Sequence, residues 1–251
     1  MVQSGDKSRI FWGCGKYSLF LSFYLESTIY WQIILIIMRQ YKTYLFDFDY
    51  TLVDSSNGIV MCFRHVLDKH GYKNVDNRAI KRTIGMTLDD AFALLTGVSG
   101  REVLVSYRKE YVAKADVCMS DNTILFSEVT NVLQALKQQG SKIGVISTKY
   151  RYRIMEFVNR HFPAGFFDIV VGGEDVSKAK PSPEGVWYAM KQLNSDTRDC
   201  LYVGDSVIDA QTAQAAALDF VGVLHGTTTR EELLAYPHIA IIDDLGTIRV
   251  K

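Results

Sequence analysis

The sequence predicts an α/β protein, a parallel sheet whose first strand is followed by an all-helical insertion. Three observations carry this expectation. From about residue 128 onward, short β-prone apolar runs alternate with helical stretches, the pattern of a sheet covered on both faces. Between residue 55 and about residue 125, apolar residues recur at helical spacing and no strand pattern interrupts them. Several apolar runs end at polar residues, and open α/β sheets bind ligands beyond the carboxyl ends of their strands.

The elements follow in order. TYLF at 43–46 is short and β-prone and ends at Asp47, which suits a buried parallel strand. Residues 57–70 place Ile59, Cys62, Phe63, Val66 and Leu67 on one helical face, and Gly71 can end that helix. Further helical patterns cover about 78–84, 87–95 and 101–115. A helix at 128–139 stops at Gly140, and KIGVI at 142–146 reads as a strand. A helix at 150–161 precedes a strand at 167–171. The helix at 183–193 opens on Pro183, whose fixed φ and missing N–H are tolerated in a first turn. CLYV at 200–203 is a strand, 207–218 an Ala-rich helix, and 220–224 and 239–242 are short strands.

The chain of 251 residues is 48% hydrophobic, enough for a core domain and a smaller inserted one. Lys plus Arg and Asp plus Glu are both 28, so the net charge is zero and no broad attraction to nucleic acid or anionic membrane is expected. Cys14, Cys62, Cys118 and Cys200 are widely spaced with no CxxC pair. They read as reduced, mostly buried thiols of a cytoplasmic protein, with neither a zinc site nor a disulfide framework.

Residues 1–37 differ from the rest. The apolar run at 17–38 is long enough to span a bilayer, and Lys7, Arg9 and Lys16 precede it. Against a membrane helix, Glu26 would sit near mid-span at a cost of about 2.5–3.5 kcal/mol. Gln32 adds to that cost, and Met38 stands just before the first predicted strand. Residues 1–37 are read as an extension from an upstream start codon. A membrane anchor and a surface amphipathic helix are the alternatives.

Four strand ends carry candidate chemistry. The first runs Asp47-Phe48-Asp49-Tyr50-Thr51, and period-two geometry puts the two carboxylates on one side. Such a pair attracts a cation, shares a proton, or both. One aspartate can attack phosphorus while the other acts as general acid and then base. KIGVI ends in Ser147-Thr148-Lys149, where a hydroxyl and backbone N–H groups can hold a phosphate oxygen. In KAKPSPE, Lys180 sits at a rigid turn entering a helix and could neutralise nucleophile and phosphate together. CLYV ends in GDSVID, whose Asp205 and Asp209 can complete an oxygen-ligand Mg²⁺ site. Each alone has an ordinary alternative: a solvated loop, an N-cap, a surface lysine, a glycine turn.

Together and in this order, DFDYT, ST, KAKPSPE and GDSVID resemble the motif set of the haloacid dehalogenase superfamily, from about Met38 to the C-terminus. TLVDS and TIGMTLDDAF are most similar to its phosphoglycolate-phosphatase-like branch. The resemblance implies a Rossmann-like core at 38–54 and 126–251, with a type-one helical cap at 55–125. It implies Asp47 as nucleophile and Mg²⁺ ligand, and Asp49 as general acid/base that also gives its backbone carbonyl to the metal. Ser147 and Thr148 would bind the phosphoryl group, Lys180 would stabilise the nucleophile and developing charge, and Asp205 would be a metal ligand. Thr51, Ser206 and Asp209 would support them. Tyr50 departs from the family, which often has glycine there.

The expected activity is Mg²⁺-dependent hydrolysis of a phosphomonoester through an aspartyl-phosphate, acting on a small phosphorylated metabolite. An acid at Asp49 favours phosphatase over dehalogenase, because an alkoxide leaving group needs a proton and a halide does not. A phosphomutase, to which His70 or Arg82 could contribute, and a pyrophosphatase are the alternatives. A phosphonatase would want a Schiff-base lysine, and Lys69, Lys73 and Lys81 show no context for one. A non-catalytic binding protein on the same fold is the rival from another class. No oligomeric state can be read from the sequence.

Overall fold

The computed structural model describes residues 40–248. Strand β1 is Thr43–Phe46, and β2, Val53–Asp54, follows a tight turn. Four helices come next: α1 Ser56–Lys69, α2 Asn77–Arg82, α3 Leu88–Thr96 and α4 Arg101–Cys118. Strand β3, Ile124–Leu125, leads into α5 Val129–Gln138, β4 Lys142–Ile146, α6 Arg151–His161 and β5 Ile169–Val171. The chain closes with α7 Glu184–Leu193, β6 Cys200–Gly204, α8 Val207–Ala215, β7 Asp219–Val223, α9 Arg230–Leu234 and β8 Ala240–Ile242.

Six strands form one sheet in the order β5-β4-β1-β6-β7-β8, all parallel. This is the Rossmann-like α/β class expected. The order reverses at β1, which pairs with β4 on one side and β6 on the other. Such a switch point opens a crevice at the carboxyl ends of the strands. Alternation along β1 divides the core. Tyr44 and Phe46 pack with Leu133, Leu136, Ile154 and Phe157 of α5 and α6. Leu45 points the other way, among Val186 and Ala189 of α7 and Ala210 and Ala213 of α8.

Helices α1 to α4 bury a separate cluster in which Phe63, Phe92, Tyr107 and Tyr111 meet ring to ring. The antiparallel pair β2–β3 carries the chain out to these helices and back. Two polar clasps hold them against the sheet domain. Arg82 of α2 donates to Glu232 at 2.5 and 3.0 Å and to the Thr227 carbonyl at 2.8 Å. Arg153 of α6, itself buried, donates to the Ala115 carbonyl at 2.8 Å and to Asp116.

Several local features differ from expectation. Strands β2 and β3 are two residues each, too short to show a periodicity. The fifth strand begins at Ile169 because the Asp168 carboxylate accepts instead from the Ile143 N–H at 2.6 Å and from Lys137. The last turn of α8 closes early: Ala217 takes φ 55° and the Leu218 N–H returns to the Ala213 carbonyl. Helix α9 was not foreseen; a capping box of Thr229 and Glu232 starts it. The sulfurs of Cys62 and Cys118, 56 positions apart in sequence, lie 3.7 Å from each other. Among the described residues no helix is long and apolar enough to cross a membrane, and the apolar run at 17–38 lies outside them.

Tyr50 takes a backbone conformation that favours glycine in the turn after β1. Its φ is 57°, in the left-handed region, and its N–H donates to the Val53 carbonyl at 2.7 Å. Tyr50 is nevertheless buried, at 7% exposed. A side chain in that conformation costs roughly 1–2 kcal/mol. Removing a large buried aromatic costs roughly 3–5 kcal/mol. Burial wins, so Tyr50→Gly is expected to destabilise the fold by about 1–4 kcal/mol in a denaturant titration. A variant more stable than the parent would show that the strained backbone dominates.

Candidate active site

The site forms where β1, β4 and β6 end side by side. Asp47 follows β1 and is locked to its neighbour by a 2.9 Å bond from its N–H to the Val203 carbonyl. Asp205 follows β6, and Asp209 lies one helical turn on, in α8. Ligand oxygens of Asp47, Asp205 and Asp209 lie within 4.8 Å of one another, and all three residues are buried. The Lys180 ammonium stands among them, 2.8 Å from Asp47 Oδ1 and 2.7 Å from Asp209 Oδ1. Its approach to Asp47 is an ion contact outside hydrogen-bond geometry, so Asp47 Oδ1 is a buried oxygen with no hydrogen-bond donor.

Two glycines make this crowding possible. A Cβ at Gly204 would fall 2.4 Å from Asp209 Cβ, and one at Gly226 only 2.0 Å from Asp205 Oδ2. Asp209 spends both oxygens inside the protein. Oδ1 receives Lys180 and the Tyr202 hydroxyl at 3.2 Å; Oδ2 receives the Ser206 N–H at 3.1 Å and hydroxyl at 2.5 Å. Ser206 in turn caps α8 by accepting from the Asp209 N–H. Asp209 therefore orients Lys180, whereas Asp47 and Asp205 keep oxygens for another partner. The Thr51 hydroxyl reaches Asp205 Oδ1 at 3.4 Å.

Burial governs the electrostatics. It raises the Asp47 carboxyl from its ordinary 3.8 to about 7, opposed by Lys180 and reinforced by Asp209 and Asp49. Burial also pushes Asp205 well above the carboxylate range, with Asp209 and Asp47 adding to it. The same two aspartates keep Lys180 firmly charged against the desolvation that disfavours it. Three carboxylates around one ammonium leave two negative charges in excess when all are ionised. A dication would balance them, and the donors are all oxygen, the set that suits Mg²⁺.

The Asp49 carboxylate stands apart from this cluster. Lys149 donates to its Oδ1 at 2.6 Å, and the Ser55 hydroxyl donates to the same oxygen. Ser147 is buried at the end of β4, its N–H bonded to the Val171 carbonyl at 3.0 Å. Thr148 lines a cavity of about 290 Å³ between the sheet domain and helices α1 to α4. Asp49 and Lys149 also line this cavity, together with Thr83, Asp89 and Arg108 from the helical side. His70 and Arg82 do not line it; His70 pairs with Glu110 at 3.0 Å.

Sequence reading passed over Lys149, Ser55, Tyr202 and Gly226. Lys149 had a visible signal, since it completes the strand-end triplet with Ser147 and Thr148. Tyr202 and Gly226 had none, because their roles depend on which strands and loops become neighbours.

The haloacid dehalogenase-like hydrolase family matches residues 44–223. Pyrophosphatase PpaX of Bacillus mycoides is 30% identical, with 82% of this chain and 94% of that protein covered. Phosphoglycolate phosphatase of Colwellia psychrerythraea is 26% identical over 79% of this chain and 91% of its own length. A solved structure from Bacteroides fragilis, assigned to the haloacid dehalogenase-like hydrolases, is 51% identical with a TM-score of 0.83, covering 84% of this chain and all of that one. The chain thus belongs to the haloacid dehalogenase-like hydrolases, and among them it is a phosphatase.

Proposed function

We propose that the protein is a Mg²⁺-dependent phosphomonoester hydrolase that works through an aspartyl-phosphate on Asp47 and acts on a small phosphorylated metabolite in the cytoplasm. The observation that carries this reading is the buried cluster of Asp47, Asp205 and Asp209 around Lys180 at the ends of β1 and β6. Phosphatases of this family generally use a metal ion, and the two excess negative charges favour a dication here. Asp47 and Asp205 would hold it, with the Asp49 backbone carbonyl as a further ligand. When bound, it would supply charge neutralisation at the non-bridging phosphoryl oxygens.

Asp47 attacks phosphorus, forming the new P–O bond as the bond to the leaving oxygen breaks in line. Lys180, fixed by Asp209, neutralises charge that builds on the phosphoryl oxygens. Asp49 gives its proton to the leaving alkoxide, then takes one from a water that attacks the aspartyl-phosphate at phosphorus. That step releases inorganic phosphate and regenerates Asp47. Lys149 and Ser55 both bind Asp49 Oδ1, which orients the carboxyl and keeps Oδ2 available for proton transfer. In this reading Ser147 and Thr148 hold the phosphoryl group. Asp47 is only 2% exposed, so we assign residues 55–125 as a cap that opens to admit substrate and closes to exclude water. Phosphoglycolate and pyrophosphate, named for the relatives, are among the compounds to try.

Phosphate release from an aryl phosphate tests the proposal. Release should require Mg²⁺, stop in EDTA, vanish in Asp47→Asn, and fall by about 10²–10⁴ in Asp49→Asn on esters with poor leaving groups. Activity surviving in Asp47→Asn would exclude the covalent route.

The raised Asp47 carboxyl adds a test by thermal unfolding. Without a cation, folded Asp47 keeps its proton up to about pH 7, whereas the unfolded carboxyl loses it near 3.8. The folded state then binds more protons, so stability falls as pH rises through that window. The midpoint in EDTA should drop between about pH 5 and about pH 8, and Mg²⁺ should raise it more at the higher pH. An equal lift at both would place the bound cation away from Asp47.

A further inference from the structure

The cavity against Asp49 holds charges that phosphoryl transfer does not use. Its cations are already paired: Lys149 on Asp49 at 2.6 Å, Arg153 on Asp116, and Arg108 on Asp89 Oδ2 at 3.0 Å. On the helical side the wall is otherwise mainly apolar, with Ile59, Phe63, Met86 and Leu88. The second oxygen of Asp89, Oδ1, is buried and accepts no hydrogen bond. A buried acceptor left unpaired is costly unless a water or a ligand supplies the donor, and in a substrate cavity the ligand takes the water's place. A second anionic group on the substrate would meet this carboxylate and an arginine it has already neutralised. A hydroxyl or an ammonium would supply the missing donor.

We infer that Asp89 and Arg108 form a specificity-determining pair that selects phosphate esters whose leaving group carries hydroxyl or amino donors and no second anion. The inference rests on the proposed reading of the phosphoryl end at Asp47 and Asp49. The cavity of about 290 Å³ lies near the lower end of small-molecule pockets, which suits a compact polyol or amino-alcohol ester better than a nucleotide. Phosphoglycolate and pyrophosphate, the substrates in the names of the relatives, each carry a second anionic group. The selection predicted for this chain therefore runs the other way.

The full-length protein with Mg²⁺ would be assayed on glycerol 3-phosphate and ribose 5-phosphate, on phosphoethanolamine, and on phosphoglycolate and pyrophosphate. An aryl phosphate measures the chemistry alone. The expected result is a kcat/KM for a hydroxyl- or amino-bearing ester at least about tenfold above both doubly anionic substrates. The first two probes against phosphoethanolamine tell which donor is preferred. Asp89→Asn should lower that ratio by about tenfold or more, whereas Arg108→Met, which leaves the Asp89 charge uncompensated against a second anion, should raise it. Because a partly unfolded variant loses activity on all substrates together, the ratio reads selectivity rather than folding. Aryl phosphate hydrolysis with no preference, with a preference for phosphoglycolate or pyrophosphate, or with a ratio unmoved in Asp89→Asn would overturn the inference. Absence of aryl phosphate hydrolysis would instead overturn the proposed mechanism, and the inference with it.

Discussion

The ion contact of Lys180 with Asp47 and Asp209 is the constraint on which the rest of the site depends. Three carboxylates converge in a space closed to water, where an uncompensated charge is far more costly than at the surface. Lys180 offsets one of them, and Asp209 is occupied in holding Lys180. That leaves Asp47 and Asp205 with a demand for positive charge that no side chain in the cluster meets. Gly204 and Gly226 follow from the same demand, since a methyl group at either position would collide with a carboxylate.

The sheet delivers these groups without distortion. Asp47 and Asp205 both follow strands that are hydrogen-bonded neighbours, so the register of β1 on β6 sets their separation. Ser147 follows β4 on the other side of β1, which places the hydroxyl-bearing loop beside the first carboxylate. Lys180 enters from the loop before α7. The helices between β2 and β3 then roof this crevice, held by the Arg82 and Arg153 clasps. The Arg82–Glu232 pair is half exposed, worth no more than about 1 kcal/mol, which fits the proposed opening of the cap. Glu232 is nonetheless held down to about 2 by Arg82, so the clasp persists through the neutral range.

Much of this was legible in the sequence, for identifiable reasons. A parallel strand buried on both faces must be a short apolar run, so TYLF, KIGVI and CLYV stood out, and the polar residues after them were the natural candidates. The helical stretch before residue 125 was equally plain, because its aromatic and aliphatic residues repeat at helical spacing. What could not be read depends on long-range contact. The partner of Asp49 is Lys149, 100 positions away, and the partner of Asp209 is Lys180; no local pattern encodes either pairing. Cys62 and Cys118 looked unrelated in sequence and are neighbours because α1 packs on α4. Tyr50 has a positive φ that favours glycine, a conformational demand that no local pattern announces, and the burial of its side chain offsets the cost.

The central claim is that Asp47 itself carries the phosphoryl group during turnover. The most direct measurement is to quench the enzyme in acid during steady-state hydrolysis, trap acyl phosphate with hydroxylamine, and locate the product by peptide mass spectrometry. The account predicts a hydroxamate at Asp47, absent without substrate and without Mg²⁺. Trapping at a different residue, or none under conditions where phosphate is being released, would contradict it.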